Sequence, residues 1–168
     1  MKKTIVILSV LSIGSVALFF LWTKILWKPF KSNHAGSYEY AETWKFNVKE
    51  SALIKIIQEI KNEHPELEVP NYGLPTEIRH EYWYNIVFYY DDTNQNVYTW
   101  TRPNANSSNT TFALVSIAHH NNKNAPSDSM KLDSREINRD FEYFENKREI
   151  KKFQEKIIKL IQEKIIKK

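Results

Sequence analysis

The sequence predicts an α+β domain behind an amino-terminal transmembrane helix. The domain is a small antiparallel sheet of about four strands, in the order β-α-β-β-β-α, with two amphipathic helices packed on one face. Three observations carry this. Residues 4–23 run for twenty positions without a charge. Two later segments repeat apolar residues at the spacing of a helix face, and the chain between them alternates aromatic and β-branched residues with polar ones at the period of strands.

The uncharged run, TIVILSVLSIGSVALFFLWT, matches the roughly 20 residues that an α-helix needs to cross a hydrocarbon layer of about 30 Å. A cleavable signal would have a shorter apolar stretch and a small-x-small site, whereas TKILWKPFKSNHAGS follows here, so residues 1–28 read as an uncleaved signal-anchor. Trp22 and Trp27 suit the headgroup region at its end. Lysines flank both sides, and the export-like opening favours the amino terminus inside and the domain outside. This predicts a single-pass protein of the inner or plasma membrane that contacts the lipid bilayer through residues 4–23.

Residues 29–40, PFKSNHAGSYEY, have no period and read as a linker; residues 41–168 form a single domain. Trp44, Phe46 and Val48 alternate with Thr43, Lys45 and Asn47, as in a half-buried strand. Asn47 and Glu50 have the spacing of a capping box, and Leu53, Ile56, Ile57 and Ile60 then mark a helix face with Lys55, Gln58, Glu59 and Lys61 turned away. Pro70, Gly73 and Pro75 make a long irregular connection up to His80. EYWYNIVFYY and NVYTWTR, joined by DDTNQ, predict an antiparallel hairpin, and TTFALVSIA a fourth strand. HHNNKNAPSDS reads as loop, and INRDFEYF is assigned to no element. Asn146 and Glu149 repeat the capping spacing, and Ile150, Phe153, Ile157, Leu160, Ile161 and Ile165 continue a helical stripe of about 20 residues, roughly 30 Å long.

Charge narrows the function classes. The chain is +4 overall, but residues 1–37 hold five lysines and no acid, and residues 38–168 hold 19 basic and 20 acidic side chains. A domain so nearly balanced is a poor electrostatic match for a polyanion, so no nucleic acid partner is expected. Without cysteine there is no disulfide, thiolate zinc site, cysteine nucleophile or acylated cysteine. With three glycines there is no G-x-S-x-G elbow and no glycine-rich phosphate loop, so no catalytic residue and no cofactor are assigned.

EYWYNIVFYY places six aromatic rings in ten positions. Alternation sends Tyr82, Tyr84, Ile86, Phe88 and Tyr90 to one face and Trp83, Asn85, Val87 and Tyr89 to the other. If the helices cover one face, rings on the other can form a recognition platform, since aromatics with polar tips bury area at low conformational cost. The candidate binding surface is Tyr82, Trp83, Tyr84, Tyr89, Tyr98 and Trp100, and the expected partner is a protein or an envelope component. The expected function is therefore a membrane-anchored, non-catalytic binding or accessory protein of the cell envelope, an immunity-type role included. One alternative is an envelope hydrolase or metal-dependent enzyme around Glu77, His80 and His119, with Glu81 and His120 as neighbouring metal-ligand types; another is a structural anchor or spacer. Asp91 and Asp92 are explained by their turn, and the lysines of the last helix, from Lys151 and Lys152 to Lys167 and Lys168, by a solvated face on which Glu155 pairs with Lys159.

Overall fold

A computed structural model describes residues 38–70, 76–105, 108–119 and 134–167. All of these fall within one compact unit, His34–Lys168. The expected membrane helix and most of the linker lie outside the described residues. Among the described residues, no helix is long and apolar enough to cross a membrane.

The domain is α+β, with a six-stranded antiparallel sheet and two helices. In chain order the elements are β1 (Glu42–Phe46), α1 (Glu50–Glu63), a 3-10 turn (Pro65–Leu67), β2 (Glu77–Arg79), β3 (Tyr84–Tyr90), β4 (Gln95–Pro103), β5 (Thr110–His119) and β6 (Ser134–Glu136). The chain ends in α2, which runs as Tyr143–Phe153, a π-helical turn over Gln154–Ile158, and Lys159–Ile166. At 24 residues it is about 36 Å long, a turn longer than expected.

The strands lie in the order β1-β5-β4-β3-β2. β1 and β6 share one edge of β5, β1 along Thr110–Leu114 and β6 along Ser116–Ala118. Between them the β4–β5 register shifts, so that Tyr98 opposes Ser116 while Thr99 opposes Leu114. Val115 is the extra residue of this bulge, and its carbonyl accepts a hydrogen bond from the Ile137 amide at 2.9 Å.

Four strands and both helices match the predicted order; β2 and β6 are additional. Each is only three residues long, too short to display a period of two, and each exists because a longer strand offers it a free edge. The first residues of the helices differ as well. Lys49 is the N-cap of α1 and Glu142 that of α2, neither with a side-chain cap. Glu50 instead accepts from Arg79 at 2.8 Å and Thr101 at 2.9 Å, and Asn146 bonds Asn138. Tertiary partners have taken the side chains that local capping would have used.

Both helices bury their apolar stripes in one cluster. Leu53, Ile56, Ile57 and Ile60 of α1 and Phe153, Ile157, Ile158 and Ile161 of α2 meet Ile86, Phe88, Tyr90, Val97, Phe112, Leu114 and Ile117 of the sheet. The exposed lysine face expected of α2 is only partly realised. Lys152 reaches Thr93 at 2.7 Å and Asp92 at 3.3 Å, Lys156 reaches Asp92 at 3.2 Å, and Lys164 pairs with Glu63. Within the helix Glu155 pairs with Lys151, at 3.6 Å, in place of the expected Lys159, and Glu149 lies 3.5 Å from Arg148. Lys61, expected to point to solvent, is 2% exposed. Its ammonium lies 3.7 Å from Glu68 and 3.8 Å from Glu77 and 5.4 Å from the Phe88 ring centre.

Candidate functional site: the second face of the sheet

Cross-strand neighbours in an antiparallel pair share a face, so register assigns each ring. Tyr84 opposes Thr101, Ile86 opposes Thr99 and Phe88 opposes Val97, all on the side of the helices. Asn85 opposes Trp100, Val87 opposes Tyr98 and Tyr89 opposes Asn96 on the other side. Of the six predicted surface residues, Trp83, Tyr89, Tyr98 and Trp100 therefore belong to the second face and Tyr84 to the first. Tyr84 packs at the edge of the helix-side cluster, its ring beneath the Arg79 guanidinium and its hydroxyl donating to Glu77. Burial, then that hydrogen bond to a carboxylate, pushes its phenol up to about 12.

Tyr82 lies outside the strand. Arg79 and Tyr84 close the β2–β3 pairing, and the amide of His80 donates to the carbonyl of Trp83 at 2.8 Å, so His80, Glu81, Tyr82 and Trp83 form the hairpin tip. That position explains why Tyr82 is 62% exposed while Trp100, in a central strand, is 2% exposed.

The second face has its own apolar cluster, built on Trp100 and Ala113 with Tyr38, Ala41, Trp83 and Val115 packed against them. Neither described helix contributes a residue to it. Ring contacts connect its members in a path: Tyr82 to Trp83 at 6.2 Å, Trp83 edge-on to Tyr38 at 5.3 Å, and Tyr38 to Trp100 at 6.1 Å. Such offset and T-shaped pairs add about 0.5–1.5 kcal/mol each beyond the area they bury. The Trp100 indole N–H is buried without a hydrogen-bond partner among the described residues. The Tyr38 phenol is raised by burial and by the nearby Glu136 charge. That of Tyr98 is raised by burial against an opposing hydrogen bond with Asn96. Both therefore keep their hydroxyl protons as donors at neutral pH. At the far end of the face, the Tyr89 hydroxyl donates to the Asn94 amide oxygen at 2.8 Å. Asn94 adopts φ 51° to close the Asp91–Asn94 turn, a conformation Asn tolerates better than most residues.

Tyr38 is the member that sequence reasoning misses, since its aperiodic surroundings read as linker. A turn closed by the Ala41 amide on the Tyr38 carbonyl at 3.2 Å folds it back onto the sheet. The available signal was Tyr38 and Tyr40 at the end of the linker, which carry the aromatic density of Trp44 and Phe46 back beyond the first strand.

The residues of the enzymatic alternative lie apart. Glu77 stands in register with Ile86, Thr99 and Leu114, whereas His119 is in register with Gln95 and Tyr90. Three strand spacings across and four residues along separate them by roughly 20 Å. Glu77 is engaged by Tyr84, by Gln58 at 3.2 Å and by Lys61. His80 and Glu81 belong to the hairpin tip, and His120 lies outside the described residues. Among the described residues no three His, Asp or Glu side chains are grouped to hold a metal ion.

No protein-family model, curated protein or solved structure matches this chain.

Proposed function

We propose that this chain is a membrane-anchored recognition protein of the cell envelope. Residues 4–23 hold it as a single-pass protein of the inner or plasma membrane. The α+β domain, on the extracytoplasmic side, binds a protein or an envelope component without catalysing a reaction. The anchor half is supported by twenty uncharged residues with no cleavage site after them.

The binding half rests on one observation, the path of rings from buried Trp100 through Tyr38 and Trp83 to exposed Tyr82. Its inner members are held by the sheet, so the outer ring is presented from a supported base and little side-chain freedom is lost on binding. The contact residues are Tyr82 and Trp83, with Tyr98 and Tyr89 further along the same face.

A photo-reactive phenylalanine in place of Tyr82, in the full-length chain in its native membranes, tests this. A discrete adduct is expected, and it is lost when Trp83→Ala is added. The same photo-reactive residue at Gln162, on the exposed side of α2, gives none. A folded, membrane-bound chain that yields no adduct from position 82 overturns the binding half; a chain found in the soluble fraction overturns the anchor half.

A further inference from the structure

The sheet finishes its two edges differently. On the β6 side the chain closes the edge itself: the Glu136 amide donates to the Asp140 carboxylate at 2.8 Å, and the Glu136 carbonyl accepts from the Asp140 amide at 3.0 Å. β2, at the opposite edge, has no such cover among the described residues. The Thr76 carbonyl accepts from the Val87 amide at 2.9 Å and the His80 amide donates to the Trp83 carbonyl at 2.8 Å, so residues 76, 78 and 80 are the ones that bond β3. The amides and carbonyls of Glu77 and Arg79 therefore point outward, as a ladder to which another strand can add.

The strand that fits this edge is β2 itself. Paired antiparallel about Ile78, the sequence Glu77-Ile78-Arg79 sets each Glu77 opposite Arg79 of a second copy, and each Ile78 opposite its own counterpart. Backbone parity gives the same register. Glu77 and Arg79, both facing outward, form the hydrogen-bonded pairs, and Ile78 falls in the non-hydrogen-bonded pair between them, with Cα atoms about 4.5 Å apart. The charges are placed to meet. Arg79 has a side chain 52% exposed and commits Nη1 to Glu50 at 2.8 Å, which leaves other guanidinium donors for an incoming carboxylate. Glu77 takes Gln58 and Tyr84 on Oε2, while Oε1 has the Lys61 ammonium at 3.8 Å, beyond hydrogen-bond distance. Ile78 is 41% exposed on the second face, and the pairing covers it with an identical side chain.

We propose that two copies of this chain join edge to edge through β2, in a two-fold dimer that fuses their six-stranded sheets into one. The axis runs normal to the sheet, so both pairs of helices lie on one side and both second faces on the other. Three paired residues a side fall short of the roughly 1,000 Å² of a permanent interface, so the dimer forms and dissociates with concentration. The pairing stands independently of the anchor and recognition readings.

The chain contains no cysteine, so Ile78→Cys introduces a single thiol on the dimer axis, at a Cα separation within the roughly 4.4–6.8 Å that a disulfide spans. The full-length variant is equilibrated in mild detergent with a glutathione redox buffer and scored for disulfide-linked dimer. Linkage is expected to exceed several-fold that of Glu81→Cys or Gln162→Cys, both exposed and off the axis. Adding Arg79→Glu to the Ile78→Cys chain opposes Glu with Glu at both ends of the pairing, and adding Glu77→Arg opposes Arg with Arg; each abolishes the excess. Mixing the two charge variants makes every pair complementary again, and linkage returns. Ile78→Cys linking no more than Glu81→Cys overturns the dimer. That comparison alters no charge, so it decides the pairing even where a charge variant is less stable. Linkage that persists in either charge variant, or that fails to return on mixing, overturns the Glu77–Arg79 register.

Discussion

On the helix-covered face, Phe112 stands 6.3 Å from Phe88 and 5.7 Å from Phe153, and aliphatic side chains of both helices close around them. On the opposite face Trp100 is buried as completely, but by Tyr38 and Trp83, rings whose own outer edges remain accessible. The two faces arise from the same strands and differ in what covers them. Helices supply long, uniform apolar stripes, so everything beneath them is core. A short folded-back segment and a hairpin tip cover less area, and burial there is graded from Trp100 outward to Tyr82. Burying one large ring removes roughly 150–250 Å² from water, worth about 4–6 kcal/mol at 25 cal/mol per Å². The inner rings of the second face are therefore structural, and the proposed recognition falls to its margin.

The largest effect is expected on the first face. Ile157→Asp places an unpaired charge at a fully buried site and should abolish the cooperative unfolding transition, a loss above about 5 kcal/mol. A normal denaturation curve would mean that α2 does not close this face.

Trp100→Ala and Phe88→Ala should each cost about 3–5 kcal/mol in chemical denaturation, because both rings are at most 2% exposed. A Trp100 variant costing less than about 1 kcal/mol would break the comparison, since the second cluster would then be a loose cover and not a core.

Lys61→Met addresses a charge of α1 that is only 2% exposed. Its ammonium makes ion pairs no closer than 3.7 Å and no hydrogen bond among the described residues, and the carboxylates it would leave, Glu68 and Glu77, stay partly solvated, so an apolar side chain of similar length should change stability by no more than about 1 kcal/mol. A loss above about 2 kcal/mol would show that the pairs with Glu68 and Glu77 outweigh desolvation.

Tyr84 gives the alkaline limb a signature. Its phenol is raised to about 12 in the folded protein from an ordinary value near 10, through burial and then the Glu77 hydrogen bond. The neutral form is favoured by folding, so this contribution is complete below pH about 10 and is lost as pH rises toward about 12. Tyr84→Phe should flatten the fall in denaturation midpoint across that window. An unchanged limb would place the Tyr84–Glu77 bond outside the folded-state energetics.

The smallest stability effect is expected at the hairpin tip. Tyr82→Ala should change the midpoint by no more than about 0.5 kcal/mol while reducing capture by the partner. A destabilisation equal to that of Trp100→Ala would extend the second core to the tip and leave no margin for recognition.

Much of this architecture was legible in the chain. The stripe Leu53, Ile56, Ile57 and Ile60 and the run Phe153, Ile157 and Ile161 are buried as their spacing required. The alternation in β3 separated Ile86, Phe88 and Tyr90 from Val87 and Tyr89 correctly, because side-chain direction in a strand is a local property. The candidate site was legible only in part. Composition marked the aromatic tract, but whether Tyr98 and Trp100 or Thr99 and Thr101 joined it depended on hairpin register. That in turn depended on a turn of four residues, Asp91–Asn94, which leaves Gln95 paired with Tyr90. Local capping rules pointed to Asn47 and Asn146, but the N-caps are Lys49 and Glu142, while Glu50 bonds Arg79 and Thr101 and Asn146 bonds Asn138.

What the sequence alone determined is periodic: the α+β class, the order of the long elements, the buried side of each helix and the parity of each long strand. Those follow from backbone geometry, which acts over a few residues and needs no knowledge of the rest of the chain. Only the tertiary structure decided the remainder. It paired β2 and β6 with edges they could not announce in three residues, and it chose which face of β3 the helices cover, so that Tyr84 joins the helix side and Tyr89 the other. It also brought Tyr38 back over Trp100 and enclosed Lys61 between Glu68, Glu77 and the Phe88 ring. In each case the deciding free energy comes from burial and pairing between residues far apart in the chain. Such contacts leave no period in the sequence because either partner alone is indistinguishable from a surface residue.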